Sequence, residues 1–357
     1  MTDNSNRTSR YKKIFDEFQK RNDNEILGIG KILGSGNFGE VRDIKYKNKI
    51  MAGKLIEREE NEKSEEEELS SELRGQNIIR INKIYEYEER GKHYSLIIMD
   101  KAVLRDLGKL NEFYHYHNLL KLIYEYPFEE RAGDNLLKFY AKQLIKGLEI
   151  FDRNDYGHFD IKPENLLISI NLVLKLSDFS LIKKLGERVR IPGGTQGYLS
   201  PEYYLDKNVS NDVAKKQDYF GLGSSLFKIK FGKPLINFKK YEDKKMNADR
   251  ITDLLERGIS FIKSQKYTDN DFCDFLISLI QYKPKDRPSF EKIIRNKWLN
   301  KDNEELEKVI TTFESDEEKL IMELQKKDFL SPIEKKIEKI EKEDESKKVK
   351  FRFKKRK

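Results

Sequence analysis

The sequence predicts an α+β protein in which a strand-rich part is followed by a helical part. Between residues 25 and 99, several short segments alternate apolar and polar side chains, as strands of a half-buried sheet do. Residues 134–152 instead place apolar side chains at three- and four-residue spacing, which indicates an amphipathic helix. At 357 residues, the chain is long enough for one two-lobed enzyme or for two ordinary domains.

The composition favours a globular protein of a reducing compartment. Hydrophobic residues make up 37% of the chain and charged residues 38%, which indicates a core beneath a highly charged surface. Cys273 is the only cysteine, so an internal disulfide is excluded. The first ten residues are polar, and no stretch approaches the roughly 20 apolar residues of a membrane span. We therefore expect a soluble intracellular protein, cytoplasmic or nuclear.

The N-terminal part predicts one helix and then a series of strands. The helix covers Tyr11 to Arg21, with Ile14, Phe15 and Phe18 on one side, and we expect it to cap the neighbouring part of the fold. The expected strands are Glu25 to Leu33, Val41 to Tyr46, Met51 to Ile56, Ile81 to Tyr87 and His93 to Met99.

A glycine-rich stretch, Gly34-Ser35-Gly36-Asn37-Phe38-Gly39, joins the first two strands. This spacing alone is a weak signal, because it also opens the helices that bind dinucleotides. The segment Val41 to Tyr46 alternates like a strand, however, which predicts a hairpin with glycines at its tip. Backbone N–H groups in such a hairpin can lie over phosphates without obstruction by side chains.

Two stretches near the middle of the chain indicate phosphoryl transfer. The first, Gly157 to Leu167, carries Asp160, Lys162 and Asn165 between apolar positions, so a loop there can direct all three into one cavity. The second, Leu174 to Ser180, is an alternating strand that ends in Asp178. One carboxylate near a nucleophile and an Asp/Asn pair for a divalent metal are what phosphoryl transfer needs.

In order and spacing, these stretches resemble the eukaryotic protein kinases of the serine/threonine type. The resemblance runs from Ile26 to Trp298 and implies the two-lobed α+β kinase fold. It implies a mainly β N-lobe with one key helix at residues 25–99, a hinge at 100–102 and a mainly α C-lobe at 103–300. Residues 1–24 would form an N-terminal extension, and residues 301–357 a charged helical or disordered tail.

The resemblance also implies a set of functional residues for ATP and Mg²⁺. Asp160, Lys162 and Lys54 would be catalytic, with Glu66 as the helix glutamate that pairs with Lys54. Asn165 and Asp178 would hold the metal. The nucleotide would contact Leu33, Gly34, Ser35, Gly36, Asn37, Phe38, Gly39, Val41, Ala52, Lys54, Met99, Asp100, Ala102, Asp106 and Leu167.

Three further positions match structural residues of the family. Glu202 is expected to form a buried ion pair with Arg287. Residues 157–167 would be the catalytic loop, and Asp218 is expected to anchor it from a following helix. Thr195 is expected to contact Asp160 and Lys162.

Two positions depart from the family pattern. Phe159 precedes the catalytic aspartate, where regulated kinases have an arginine that pairs with a phosphate on the activation segment. The central portion of that segment, residues 181–194, contains no serine, threonine or tyrosine, so we expect no activating phosphosite there. Ser180 stands where glycine usually follows, which restricts the backbone. It either locks the active arrangement or lowers activity, so a nucleotide-binding pseudokinase scaffold is the alternative function.

The expected partners are protein substrates, and the acids Glu164 and Asp106 favour a basic motif in them. The net charge of +8 resides in residues 347–357, which carry eight basic residues and no acid. Because the rest of the chain is formally neutral, a whole-protein nucleic-acid footprint is not indicated. The basic segment fits nuclear import, an acidic membrane surface, nucleic acid or the kinase's own groove. The oligomeric state is left open.

Overall fold

The structure is a computed structural model. It describes residues 2–36, 39–47, 49–58, 72–102, 106–107, 132–169, 173–206, 208–236, 248–265 and 268–301. Within these ranges, no helix combines the length and the apolar character that a membrane crossing requires. The predicted positions Asn37, Phe38 and Glu66, and the tail beyond residue 301, lie outside the described residues.

A five-stranded antiparallel sheet forms the first lobe, with the strand order β1-β2-β3-β5-β4. All five predicted strands are confirmed, because alternation reports directly which side chains face the interior. They are β1 (Ile26–Gly36), β2 (Gly39–Tyr46), β3 (Lys49–Arg58), β4 (Ile81–Glu89) and β5 (Lys92–Met99).

Helix α1 (Thr2–Arg21) covers one face of this sheet and begins earlier than the predicted residue 11. Tyr11, Ile14, Phe15 and Phe18 are buried at three- and four-residue spacing, so they share one side of the helix. They form a single core cluster with side chains of the sheet, which confirms that the helix caps this lobe. Those sheet residues are Ile26, Ile44, Met51, Leu55, Tyr94, Leu96 and Ile98.

Helices and short strand pairs form the second lobe. The predicted helix over 134–152 is confirmed as α2 (Ala132–Arg153). The other helices are α3 (Pro201–Leu205), α4 (Asn211–Phe231), α5 (Ala248–Lys263), α6 (Asn270–Leu279), α7 (Phe290–Ile294) and α8 (Lys297–Asn300). The short strands are β6 (Tyr156–Gly157), β7 (Leu166–Ile168), β8 (Leu174–Leu176), β9 (Lys183–Lys184), β10 (Arg188–Arg190) and β11 (Asn208–Ser210). They pair as β6 with β9, β7 with β8 and β10 with β11.

The predicted ion pair between Glu202 and Arg287 is confirmed. The Arg287 guanidinium donates to both carboxylate oxygens of Glu202, at 2.7 and 2.6 Å, and the arginine is only 2% exposed. It also donates to the carbonyl oxygens of Gln281 and Tyr282. A buried bidentate pair of this kind ties helix α3 to the far end of the lobe and fixes the chain that follows the activation segment.

Candidate active site

A cavity of about 250 Å³ lies between the two lobes and brings together most of the predicted nucleotide-binding residues. Its lining also includes Asn165 and Asp178, the predicted metal ligands. From the predicted nucleotide set, the cavity is lined by Leu33, Gly34, Val41, Ala52, Lys54, Met99, Asp100, Ala102, Asp106 and Leu167.

The sequence reasoning missed several lining residues. Three of them, Ile79, Ile81 and Ile97, complete the apolar wall of the cavity. The signal that could have identified Ile97 is the alternation of β5, since Ile97 and Met99 share the face opposite to that of Leu96 and Ile98. Ser35 and Gly39 lie in the adjoining hairpin and not among the lining residues.

The glycine-rich stretch forms the predicted hairpin between β1 and β2, where Gly36 pairs with Gly39 and Ser35 with Glu40. Gly39 has a φ of +140°, and a Cβ there would lie 2.0 Å from the carbonyl oxygen of Leu55. Only glycine fits this position, because any side chain would push the hairpin away from β3. The hairpin is thus fixed against the strand that carries Lys54.

Asp218 anchors the catalytic loop, as predicted. The two carboxylate oxygens of Asp218 accept hydrogen bonds from the backbone N–H groups of His158 and Phe159, at 2.7 and 2.8 Å. Complete burial raises the pKa of Asp218 to about 7, although these N–H donors act in the opposite direction. Phe159 has a φ of +64°, a conformation that costs a residue with a side chain about 1–3 kcal/mol. The two hydrogen bonds to Asp218 therefore maintain a strained backbone conformation immediately before Asp160.

Asp160 is only 3% exposed and its carboxylate is fixed by several donors. One oxygen accepts from the backbone N–H of Thr195 at 2.8 Å, and the other accepts from Lys162 Nζ at 2.6 Å. Lys162 Nζ also donates to Thr195 Oγ1 at 2.7 Å, which confirms the predicted contacts of Thr195. The arrangement places one carboxylate and one ammonium side by side at the end of the activation segment.

Lys54 and Asp178 meet across the cavity. Lys54 Nζ donates to Asp178 Oδ1 at 2.7 Å, and the Ser180 hydroxyl donates to the same oxygen at 2.9 Å. Burial opposes the charged carboxylate, but the Lys54 ammonium and the Ser180 hydroxyl outweigh it and lower the pKa of Asp178 to about 2. Asp178 is therefore ionised at any physiological pH.

The metal-binding hypothesis depends on Asn165 and Asp178, which the fold holds close together. Ser177 donates twice to the Asn165 carbonyl oxygen, from its N–H and from its hydroxyl, each at 3.0 Å. Asn165 itself donates through its amide nitrogen to the backbone oxygen of Asp160 at 2.8 Å and to its carboxylate at 3.2 Å. This directs the amide oxygen away from Asp160. A carboxylate and an amide oxygen are ligands that Mg²⁺ accepts, so the residues fit this ion.

Phe159 packs into an apolar cluster formed by the activation segment. The ring is 1% exposed, and the buried residues around it are Leu185, Val189, Ile191 and Ala214. A Cβ at Gly157 would lie 2.5 Å from the ring, so glycine is what leaves room for the phenylalanine. The sequence predicted the loss of arginine at this position but missed the role of Gly157. The signal was a glycine two residues before an unusual aromatic side chain.

Comparisons with known proteins agree with this geometry. Residues 27–299 match the family model described as protein kinase domain. The Aurora kinase of Eremothecium gossypii is 27% identical over 284 residues, which cover 76% of this chain and 69% of that protein. The Aurora kinase of Saccharomyces cerevisiae is 28% identical over 282 residues, or 76% and 68% of the two chains. Cyclin-dependent kinase-like 5 of Mus musculus is 34% identical over 220 residues, 59% of this chain and 21% of that protein.

Proposed function

Because this chain belongs to the protein kinase family and is a protein serine/threonine kinase, we propose that it transfers the γ-phosphate of ATP to protein hydroxyls without a phosphate on its activation segment. The observation that carries the proposal is that two charged pairs lie close together, one in the cavity and one next to it. Lys54 pairs with Asp178 in the cavity lining at 2.7 Å. Lys162 pairs with Asp160 at 2.6 Å, and Asp160 accepts a hydrogen bond from Asn165, which lines the cavity.

Asp160 would orient the substrate hydroxyl and accept its proton as the new P–O bond forms. Its carboxylate is suited to this role because Thr195 and Lys162 fix its orientation and leave no freedom to rotate. Lys162, which bridges Asp160 and Thr195, would stabilise the charge of the transferred phosphoryl group. Both contributions are positional and electrostatic, which is how enzymes of this class obtain most of their rate.

Asn165 and Asp178 would hold Mg²⁺, and the ionised state of Asp178 suits a cation ligand. When bound, the metal neutralises negative charge on the phosphate oxygens. Lys54 would contact the α- and β-phosphates, and the backbone of the hairpin would cover them. The apolar walls formed by residues such as Leu33 and Ile97 suit an adenine ring.

The activation segment is held without a phosphate because its own apolar residues pack on Phe159. Leu185, Val189 and Ile191 supply from the segment the contacts that an arginine–phosphate pair supplies in regulated kinases. Since residues 181–194 also lack a hydroxyl-bearing side chain, phosphatase treatment should leave activity unchanged. An essential phosphosite mapped within 181–194 of active protein by mass spectrometry would contradict this part of the proposal.

The proposal for the substrate is a serine or threonine next to basic residues. Both acids line the cavity, but Glu164 is exposed whereas Asp106 is buried, so a basic motif would meet Glu164. We further propose that the protein works in the cytoplasm or nucleus, with residues 347–357 as the segment for import or for contact with acidic membranes or nucleic acid.

The test is transfer of a labelled γ-phosphate from Mg-ATP to a basic serine/threonine peptide. Asp160→Asn should abolish transfer while nucleotide binding, measured by thermal shift, persists. Asp253→Asn is the matched control, because Asp253 is an exposed carboxylate on α5. If the wild type binds ATP but transfers no phosphate, the chain is a nucleotide-binding pseudokinase. The backbone restriction imposed by Ser180 would then be the first cause of inactivity to test.

A further inference from the structure

Helix α1 precedes the residues that match the kinase family, and the proposed reaction assigns no role to it. From Arg10 onward, its side chains attach it to the sheet. Arg10 donates to the Tyr94 hydroxyl at 2.7 Å and pairs with Glu57 at the end of β3. At the C-terminal end of the helix, the Arg21 guanidinium lies 4.4 Å from the centre of the Tyr87 ring. Helix α1 is therefore a fixed part of this lobe.

An ion pair is buried beneath the middle of α1. Arg42 Nε donates to Glu40 Oε1 at 2.7 Å, and the two residues are 8% and 1% exposed. They are two positions apart on β2, so both side chains face α1. The guanidinium carbon of Arg42 lies 5.3 Å from the centre of the Phe15 ring, within reach of a cation–π interaction. An aromatic residue of α1 thus packs on the arginine of the buried pair.

This ion pair adjoins the glycine-rich hairpin. Glu40 directly follows Gly39, which closes the hairpin opposite Gly36, and Glu40 itself pairs with Ser35. Along the other edge of β2, the close approach of Gly39 to the Leu55 carbonyl fixes the base of the hairpin to β3. Glu40 is the first side chain after the loop, so its orientation affects the position of the loop backbone.

We propose that Phe15, Arg42 and Glu40 are positioning residues that fix the hairpin for nucleotide binding, with α1 as a built-in brace. Water weakens an exposed ion pair, whereas a covered, hydrogen-bonded pair keeps a defined geometry. Without the cover of Phe15, the pair is hydrated and the hairpin gains freedom that ATP must remove on binding. The inference rests on the proposed ATP site, because it concerns the hairpin of that site.

The test uses substitutions that keep α1 in place. Phe15→Leu removes the ring but keeps an apolar side chain, and Glu40→Gln removes the charge but keeps the size. Phe18→Leu is the matched control, because Phe18 is equally buried on the same helix but contacts the Tyr87 ring at 5.7 Å. The dissociation constant of a fluorescent ATP analogue is measured for each variant by titration, together with Tm, KM for ATP and kcat.

We expect Phe15→Leu and Glu40→Gln to weaken nucleotide binding and raise KM for ATP by about three- to tenfold, as loss of one charge-assisted interaction implies. Their kcat should stay near that of the wild type, and Phe18→Leu should lower Tm without changing KM. If all three variants lower Tm alike and leave nucleotide affinity unchanged, α1 has only a structural role and the inference is wrong. If neither the wild type nor any variant transfers phosphate but nucleotide affinity still falls in Phe15→Leu and Glu40→Gln and not in Phe18→Leu, the proposed function is wrong and the positioning role of α1 is supported. Absence of nucleotide binding in the wild type would overturn both.

Discussion

Replacing Gly157 with alanine should destabilise the protein through a clash with one side chain, Phe159. The new Cβ would lie 2.5 and 2.6 Å from the Cζ and Cε2 atoms of the ring. The φ of Gly157 is outside the left-handed region, so alanine meets no backbone strain there and the effect is purely steric. Because the ring is 1% exposed and enclosed, it has no free space to enter, and overpacking of this kind costs about 1–3 kcal/mol.

A double-mutant cycle isolates this clash. Phe159→Ala alone should cost about 3–5 kcal/mol, the usual range for deletion of a buried aromatic ring. In that background, Gly157→Ala meets no ring and should cost close to nothing. The coupling free energy of the two substitutions should therefore be about 1–3 kcal/mol, well above the error of additivity for independent sites.

The free energy of unfolding of the four proteins is measured by urea denaturation, with Tm as a second readout that moves about 2–4 °C for each kcal/mol in a domain of this size. Gly258→Ala serves as the control, because its Cβ would meet Leu235 at 2.6 Å in a different part of the core. Its effect should add to that of Phe159→Ala. An equal cost of Gly157→Ala in both backgrounds would refute the idea that the glycine makes room for the ring.

Three further substitutions or conditions test other contacts of the site. Glu202→Gln leaves the buried Arg287 guanidinium without its counter-charge and should cost about 3–5 kcal/mol, read as a fall of Tm, whereas an unchanged Tm would show the pair to be replaceable. Ser180→Ala removes a hydrogen bond to Asp178 worth about 0.5–1.5 kcal/mol, so the Mg²⁺ concentration for half-maximal ATP binding should rise a few-fold, and no change would mean that Ser180 does not orient the carboxylate. In the folded protein the pKa of Asp178 is lowered to about 2, below that of an ordinary aspartate. Its pairing with Lys54 therefore stabilises the fold at neutral pH, and this stability is lost as the pH falls from the ordinary aspartate pKa toward 2. The Tm difference between wild type and Asp178→Asn should thus be constant from pH 8 to 5 and shrink below about pH 4.

The strands and the long helices were predictable because their patterns are local. Alternation identified the whole of the five-stranded sheet, and the three- and four-residue spacing identified α2 within two residues at each end. The motif residues were also predictable as a group, since the catalytic loop and the Asp178 segment carry their chemistry in short stretches. Glu66 lies among consecutive glutamates outside the described residues, so its pairing with Lys54 stays a prediction.

Contacts between distant segments were not predictable in the same way. Charged residues in a strand normally indicate a solvated face, and nothing local to Glu40 and Arg42 predicts their burial. They are buried because α1, more than twenty residues earlier in the chain, lies across the sheet. The burial of Phe159 was likewise not predictable from its neighbours in the sequence, because its apolar surroundings include Ile191 and Ala214, the latter on helix α4.

Two residues of the candidate site share an unusual backbone conformation. Phe159 and Asp178 both adopt a φ of +64°, a conformation that persists only where neighbouring groups impose it. At Phe159, the backbone is held by Asp218 and the ring by the activation segment; at Asp178, the carboxylate is held by Lys54 and Ser180. Each of these restraints comes from side chains of the protein itself. The proposed activity without an added phosphate depends on these restraints, so we expect activity to follow how tightly these side chains pack.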